Sequence, residues 1–275
     1  MALLLVLAST VGCAKLKARD QLVKGVQAFK AGQYEEAVNH FQTSVKYDPS
    51  YKSAHLYLAT ALSYQVVSDL TTPENLALAQ KALDGFNTVL AADPNDIGAL
   101  RQEASIYRKI KKLDLAKATE LKVIQLDPND YEAYYTVGVL EWKQAYDNTI
   151  AALTATGLSD DGAGNVKKSK DVCAKLQAEN TDHVAAALQY LQKAVDVNPT
   201  YDDAMQYLNL DYRQKANLEC GNDAARKADL DAADSWVTKA TGARKANEAA
   251  KEKKLGGGVD MSKKASRNNP YSCQQ

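Results

Sequence analysis

Apolar residues recur along the chain at helical spacing, and short breaks that contain proline interrupt this pattern at four places. Within residues 33–62 the periodicity stops at Asp48-Pro49 and then resumes. Equivalent breaks stand at Asp93-Pro94, Asp127-Pro128 and Asn198-Pro199. Because proline cannot continue a helix and suits the first position of a new one, each break is predicted to end one helix and begin the next.

Small residues stand at fixed distances from these four prolines. Alanine occupies the position twelve residues before each proline and the position five residues after it, namely Ala37, Ala82, Ala116 and Ala187, then Ala54, Ala99, Ala133 and Ala204. The position eight residues before each proline holds a larger side chain, in order Phe41, Phe86, Glu120 and Leu191. Small residues allow two helices to approach closely, and a large side chain one turn away fills the space between them. Each unit is therefore predicted to be a packed helical hairpin.

This pattern resembles the tetratricopeptide repeat, a 34-residue helix-turn-helix unit that stacks into a superhelix. Pro94 and Pro128 are 34 residues apart, and the first unit carries the family's pattern at Gly25, Gly32, Tyr34, Ala37, Phe41, Ser44 and Pro49. The resemblance implies an all-α fold, a right-handed α-solenoid of about five helical hairpins with a C-terminal capping helix. The predicted hairpins span residues 18–49, 52–94, 97–128, 131–199 and 202–242.

Two of the spacings between prolines exceed one repeat. They are 45 and 71 residues, which predicts insertions near 65–75 and 146–182, each between the two helices of a hairpin. In the second insertion, residues 157–165 are predicted to form a loop and 167–180 an extra helix. The predicted domains follow as a solenoid over 14–242, an extension of the capping helix over 243–255 and a disordered basic tail over 256–275.

The N-terminus, residues 1–13, predicts an export signal and a lipid anchor. The apolar run from Ala2 to Ala8 is too short to span a bilayer but fits the apolar region of a signal peptide. Thr10-Val11-Gly12-Cys13 resembles a bacterial lipobox, in which the cysteine is lipidated. Since Ala14 is not the Asp that commonly retains lipoproteins in the inner membrane, we expect an outer-membrane lipoprotein facing the periplasm. An ordinary cleaved signal, which would leave a soluble periplasmic protein, is the alternative.

The other cysteines are Cys173, Cys220 and Cys273. In a stacked solenoid, the connections between the first and second helices of successive hairpins emerge along one edge. Cys173 and Cys220 both lie in such connections, so we predict a disulfide between them. If Cys13 carries lipid, three cysteines remain, so outside the cytoplasm we expect at most one internal bridge and one spare thiol.

The first helices of the hairpins are expected to line the surface that binds a partner chain, as is common in repeat proteins. The aromatic and cationic residues predicted to lie there are Tyr57, Tyr64, Arg101, Arg108, Lys109, Tyr135, Trp142, Lys143, Tyr207 and Arg213. Aromatic and arginine side chains are favoured anchors in protein interfaces. We expect binding to centre on Tyr135, Trp142 and Lys143 and to favour an acidic or aromatic peptide. The alternative is that some of the tyrosines belong to the hairpin cores.

Net charge and the absence of known catalytic motifs reduce the number of function classes that the sequence supports. The 34 basic and 34 acidic residues leave no excess of positive charge, so no nucleic-acid partner is predicted. The sequence contains no phosphate-binding loop, no metalloprotease motif and no nucleophile elbow, and we predict no cofactor, metal, small-molecule substrate or enzymatic activity. The predicted function is a protein-binding adaptor or scaffold of the bacterial cell envelope. A soluble scaffold without an anchor and a hydrolase built in the second insertion are the alternatives.

Overall fold

The computed structural model describes the backbone of residues 3–162, 166 and 169–256, and the side chains of 13–162, 166 and 169–253. These ranges contain ten helices and no strand, which confirms the all-α prediction. The helices are α1 (Leu3–Lys30), α2 (Tyr34–Tyr47), α3 (Lys52–Gln65), α4 (Pro73–Ala92), α5 (Ile97–Lys109), α6 (Leu113–Leu126), α7 (Tyr131–Thr154), α8 (Lys170–Val197), α9 (Asp202–Ala216) and α10 (Asp223–Gly256). The chain divides into two compact units, unit 1 ending at Leu140 and unit 2 beginning at Glu141.

The residue before each repeated proline ends a helix in the same way. Asp48, Asp93, Asp127 and Asn198 all have extended backbone angles, and each N–H donates to the carbonyl four residues earlier. Their side chains then accept a hydrogen bond from the N–H two residues later, for example from Asn95 to Asp93 at 3.0 Å. Short Asp and Asn side chains favour such turns because they substitute for a backbone acceptor. The proline-containing breaks are thus helix ends built by local hydrogen bonds.

Unit 1 contains three helical hairpins, α1–α2, α3–α4 and α5–α6, together with the start of α7. Phe41 and Phe86 are fully buried in its core among alanines. A Cβ atom at Gly85 would lie 2.6 Å from the Cβ of Ala59, so the close contact between α3 and α4 requires glycine at that position. In the third hairpin the corresponding large residue is Glu120, whose side chain is also buried.

Unit 2 contains the remainder of α7 followed by α8, α9 and α10. Here the prediction of a separate helix over residues 167–180 is wrong, because α8 runs from Lys170 to Val197 without a break. The insertion instead lengthens both helices of the hairpin and leaves only residues 155–169 to connect them. The reason is continued burial: Leu153, Val172 and Leu176 extend the hairpin core through the inserted segment.

Hydrogen bonds between buried polar side chains also hold unit 2 together. Asn180 on α8 donates from Nδ2 to the carbonyl of Ala145 at 2.8 Å and to Oγ1 of Thr149 at 3.1 Å. Thr149 in turn lies 2.8 Å from Oε1 of Gln214 on α9. This buried network, Thr149, Asn180 and Gln214, fixes three helices in one register.

Candidate partner-binding surface

The predicted surface residues of unit 1 that remain most accessible are two tyrosines on α3. Tyr57 is 40% exposed and Tyr64 is 52% exposed. The ring of Tyr57 stacks on Phe41 at 5.5 Å, whereas Tyr64 contacts Phe29 at 5.0 Å and Tyr34 at 5.2 Å. Each tyrosine is therefore held on one side by the first hairpin and open on the other.

Three predicted cations lie on α5, which contacts α3 directly. Arg101 is committed to Asp130, and its Nε donates to Oδ2 of that carboxylate at 3.0 Å. Lys109 is half-buried and donates from Nζ to the carbonyl of Ser63 at 2.7 Å, a contact that ties α5 to α3. Burial lowers the pKa of Lys109 because it removes water from the ammonium. Arg108 is exposed, which makes it the predicted cation of unit 1 best placed for a ligand.

The charge that faces Arg108 comes from Glu120 on α6. The Glu120 residue is only 5% exposed, and this burial raises its pKa to about 7. Arg108 and Arg101 oppose the rise because positive charge favours the carboxylate. A carboxyl with this pKa carries only part of a negative charge at neutral pH, so Glu120 neutralises Arg108 incompletely.

In unit 2, the predicted residues Trp142 and Tyr207 are brought together. The indole of Trp142 stacks on Tyr146 at 5.1 Å and meets Tyr207 edge-on at 5.0 Å. Its Nε1 is buried, and no hydrogen-bond acceptor for it is found in the described part of the chain. Lys143 is exposed and pairs with Asp147 at 2.8 Å. Trp142 is therefore largely used in packing, while Tyr135 is half-buried in unit 1.

Arg213 is held by several hydrogen bonds within unit 2. Its guanidinium donates to Oδ1 of Asn209 at 3.0 Å, to the carbonyl of Gly162 at 2.8 Å and to Oδ1 of Asp234 at 2.7 Å. These bonds join α9 to the connection after α7 and to α10. A ligand would have to break them to use Arg213, which makes it a weaker candidate than Arg108.

The structure places the cysteines in contrasting environments. Cys173 and Cys220 form a disulfide with their Cα atoms 5.8 Å apart. Cys13 is exposed with a free thiol on α1. Cys273 lies outside the described residues, as do most of the predicted signal's side chains and residues 257–275 of the predicted tail. The disulfide also means that Cys173, the cysteine of the second insertion, is not a free thiol nucleophile.

Sequence reasoning missed several residues of these surfaces. Phe29, Tyr34 and Tyr146 complete the aromatic clusters, and Asp130 holds Arg101. Tyr34 was recognisable as a residue of the repeat pattern, and Asp130 as a polar residue just before a helix. Neither signal indicates which side chain from another helix will contact it, because that depends on packing between hairpins.

Metal-binding groups and membrane-spanning helices are both relevant to function. Within the described ranges, no three His, Cys, Asp or Glu side chains are grouped so that they could hold a metal ion. Among the helices that the structure describes, none combines the length and the apolar character needed to cross a bilayer.

Comparison with known proteins finds similarity in one sequence repeat and in the fold. The sequence model of the tetratricopeptide repeat matches residues 102–130, which cover most of α5 and α6. MamA from Desulfovibrio magneticus RS-1 is similar in structure, with a TM-score of 0.55 and 20% identity over 84% of this chain and 96% of that one. Another crystal structure of MamA has a TM-score of 0.53 and 16% identity over 82% and 96% of the two chains.

A protein similar in sequence is sperm-associated antigen 1 from Mus musculus. It is 28% identical over 134 residues, which are 49% of this chain and 14% of that protein. The chain therefore matches only a small part of this relative. Residues 102–130 thus match one tetratricopeptide repeat in sequence, and the fold of the chain is similar to that of the MamA structures.

Proposed function

We propose that the protein is an adaptor of the bacterial cell envelope, tethered by a lipid on Cys13, that binds an acidic segment of a partner chain on unit 1. The observation that carries the binding proposal is the open face of α3, where Tyr57 and Tyr64 are well exposed beside α5 with its accessible Arg108. Large exposed aromatic side chains held rigidly by their neighbours lose little entropy on binding.

The hydroxyl groups of the two tyrosines also support this surface as the binding site. In the described part of the chain, neither the Tyr57 nor the Tyr64 hydroxyl has a protein partner, so both can bond to a ligand. Arg108 adds a positive charge that Glu120 neutralises incompletely, because burial raises the Glu120 pKa to about 7. An acidic peptide with an apolar or aromatic residue thus fits the chemistry of this surface.

Site-specific photocrosslinking tests the binding surface. A photoreactive amino acid at position 64 in intact cells should capture a partner, whereas the same group at Lys81, which is exposed on α4, should not. With the captured partner purified, Tyr64→Ser should cost more than about 1 kcal/mol of binding free energy, as is usual for an interface anchor. The matched control is Tyr47→Ser, which changes an exposed tyrosine on α2.

Charge reversal separates the electrostatic part of the proposal. Arg108→Glu should weaken binding and reduce its dependence on salt concentration, since it removes the attraction for an acidic segment. Lys81→Glu makes the same charge change elsewhere in unit 1 and should leave affinity unchanged. Equal effects of the two reversals would show that only net charge matters and would refute a specific site at Arg108.

The lipid anchor rests on Cys13, which is exposed with a free thiol. Intact mass of membrane-extracted protein should show an acylated chain beginning at this cysteine. Cys13→Ser should release the protein into the soluble fraction. A soluble product that retains Met1 would favour the alternative, a soluble scaffold.

A further inference from the structure

A cleft of about 470 Å³ lies at the edge of the second hairpin, at the opposite end of α3 from Tyr64. It is bounded by the start of α3, the end of α4 and the turn before α5. Leu56, Val89 and Ala92 give it an apolar lining, and Asp93 and Asp96 contribute acidic groups. The cleft is separate from the surface proposed above and could bind a different part of a partner.

The third hairpin has equivalent positions one repeat later along the chain, and their side chains can be compared with those of the cleft. Asp96 and Asp130 are equivalent, because each caps the following helix with its Oδ1 atom. The N–H of Ala99 donates to Asp96 at 2.8 Å, and the N–H of Ala133 donates to Asp130 at 3.1 Å. In both hairpins the second carboxylate oxygen, Oδ2, is left for another donor.

In the third hairpin that donor is a guanidinium. Arg101 donates from Nε to Oδ2 of Asp130 at 3.0 Å, and the Asp130 side chain is only 2% exposed. Lys122 closes the neighbouring space by donating from Nζ to the carbonyl of Pro94 at 2.6 Å. The arginine thus places its charge on the carboxylate that caps the next helix.

The second hairpin has neither the arginine nor the lysine, although His55, which also lines the cleft, lies with its Nε2 2.9 Å from the carbonyl of Pro49. Leu56 stands seven residues after its proline, where the third hairpin has Arg101, and Thr88 stands six residues before the next proline, where the third hairpin has Lys122. Among the described residues, none donates a side-chain hydrogen bond to Asp96. Leu56 has no guanidinium to bond Oδ2 of Asp96, and the cleft is open at this position.

We propose that this cleft binds an arginine side chain of a partner protein. The guanidinium would bond to Oδ2 of Asp96, and its aliphatic stem would cover Leu56 and Val89. Arginine suits the site because its planar head forms directed, charge-assisted bonds with carboxylates while its stem packs on apolar surface. Asp93 adds negative charge at the rim. Lys52 also lies at the rim with the opposite charge, and since both rim residues are exposed, water screens them alike and leaves Asp96 as the main acidic group.

The direct test is a titration of the full ¹⁵N-labelled chain with the blocked tripeptide Ala-Arg-Ala, followed by NMR. Saturable shifts are expected at the amides of Asp96 and Ala99. The tripeptide Ala-citrulline-Ala has nearly the same shape without the charge, and it should bind about tenfold more weakly because the charge-assisted bond is lost. Equal binding of the two tripeptides would overturn the proposal.

Two variants should abolish the NMR shifts that the Ala-Arg-Ala tripeptide causes. One removes the carboxylate of the site, and the other fills the site with a side chain of the protein itself. Asp96→Asn removes the charge while keeping a residue that caps helices well. Leu56→Arg supplies an internal guanidinium, as Arg101 does in the third hairpin. Asp84→Asn, at an exposed position of α4, is the matched control and should bind normally. Retention of binding by Asp96→Asn with its circular dichroism unchanged would refute the site.

The reverse experiment creates a second site. The double variant Arg101→Leu/Lys122→Thr, which copies Leu56 and Thr88, should free Oδ2 of Asp130 and open the equivalent cleft of the third hairpin. The Ala-Arg-Ala tripeptide should then also shift the amide of Ala133. Because this is a gain of binding, it does not depend on the behaviour of the Asp96 and Leu56 variants, and its absence in a folded variant would contradict the proposed role of Leu56.

Discussion

Both units of the molecule bury apolar and polar side chains, but the contacts that fix their helices differ in emphasis. In unit 1, Phe41 and Phe86 pack among alanines, and shape complementarity sets the helix contacts. In unit 2, Thr149, Asn180 and Gln214 form a buried hydrogen-bond network, and a disulfide joins Cys173 to Cys220. Helical hairpins can therefore be fixed either by close packing or by directed bonds.

The long insertion offers a physical reason for the difference. Hairpins near the usual repeat length keep the pattern of small and large residues that positions one helix on another. The inserted parts of α7 and α8 lie beyond that pattern, so contacts along the added turns have to be specified separately. Directed hydrogen bonds specify register more strictly than apolar contacts, which tolerate sliding.

The strongest test of the packing in unit 1 is Phe41→Ala. Removing a fully buried aromatic ring should lower the free energy of unfolding by about 3–5 kcal/mol, because it loses burial and leaves a cavity. Urea unfolding followed by circular dichroism measures this loss. Tyr47→Ala, at an exposed position of the same helix, should have little effect. A loss below about 1 kcal/mol for Phe41→Ala would contradict the importance of packing in unit 1.

Unit 2 should instead respond to reduction of its disulfide. The loop of 47 residues corresponds to at most about 4 kcal/mol in the chain-entropy account. Both tryptophans of the chain, Trp142 and Trp236, belong to unit 2, so their fluorescence reports its unfolding separately. Reductant should shift that transition to lower urea concentration, and the paired variant Cys173→Ala/Cys220→Ala should show the same shift without reductant. Cys13→Ser is the control, and an unchanged transition would refute the stabilising role.

Features that depend on local chemistry could be predicted from the sequence, whereas contacts between distant parts of the chain could not. Alanine and proline positions predicted the hairpins because close helix contacts and helix ends depend on local chemistry. Tyr57, Tyr64 and Arg108 were predicted as surface residues from helical spacing, and the structure leaves them accessible. Spacing could not show that Lys109 and Arg213 are held by Ser63, Gly162 and Asp234, since those partners come from other parts of the chain.

Glu120 is a buried titratable residue of unit 1 and should make the stability of that unit depend on pH. Its ordinary pKa of 4.5 rises to about 7 in the fold because of burial. Below pH 4.5 the group is protonated in both states. As pH rises from 4.5 to about 7, the unfolded chain releases the proton first, so the free energy of unfolding falls. The pKa difference corresponds to roughly 3 kcal/mol at most.

Glu120→Gln tests this dependence because it keeps the shape and removes the titration. The variant should be more stable than the native chain above pH 7, and the difference should shrink towards pH 4.5. Urea unfolding followed by circular dichroism at several pH values measures it. Asp84→Asn, which removes a carboxylate on the exposed face of α4, is the control. Parallel pH curves for the native chain and Glu120→Gln would exclude the effect.

The smallest expected effects compare one buried hydroxyl from each unit. In unit 1, Ser44 donates to the carbonyl of Ala18 at 2.7 Å, and that carbonyl lies within α1, where the helix supplies another donor. Ser44→Ala should therefore cost only about 1 kcal/mol. In unit 2, Thr149→Val removes the partner of Gln214 and should cost about 1–3 kcal/mol, because a buried amide oxygen is left unpaired.

A double-mutant cycle decides whether the polar contacts of unit 2 act as a network. Thr149→Val and Asn180→Ala should be non-additive in the tryptophan-detected transition, because both change the same bonded group. Ser44→Ala combined with Thr149→Val should be additive, since the two hydroxyls share no partner. If the Thr149 and Asn180 changes were additive as well, the buried polar residues of unit 2 would be independent contacts, and the difference between the units would reduce to composition and one disulfide.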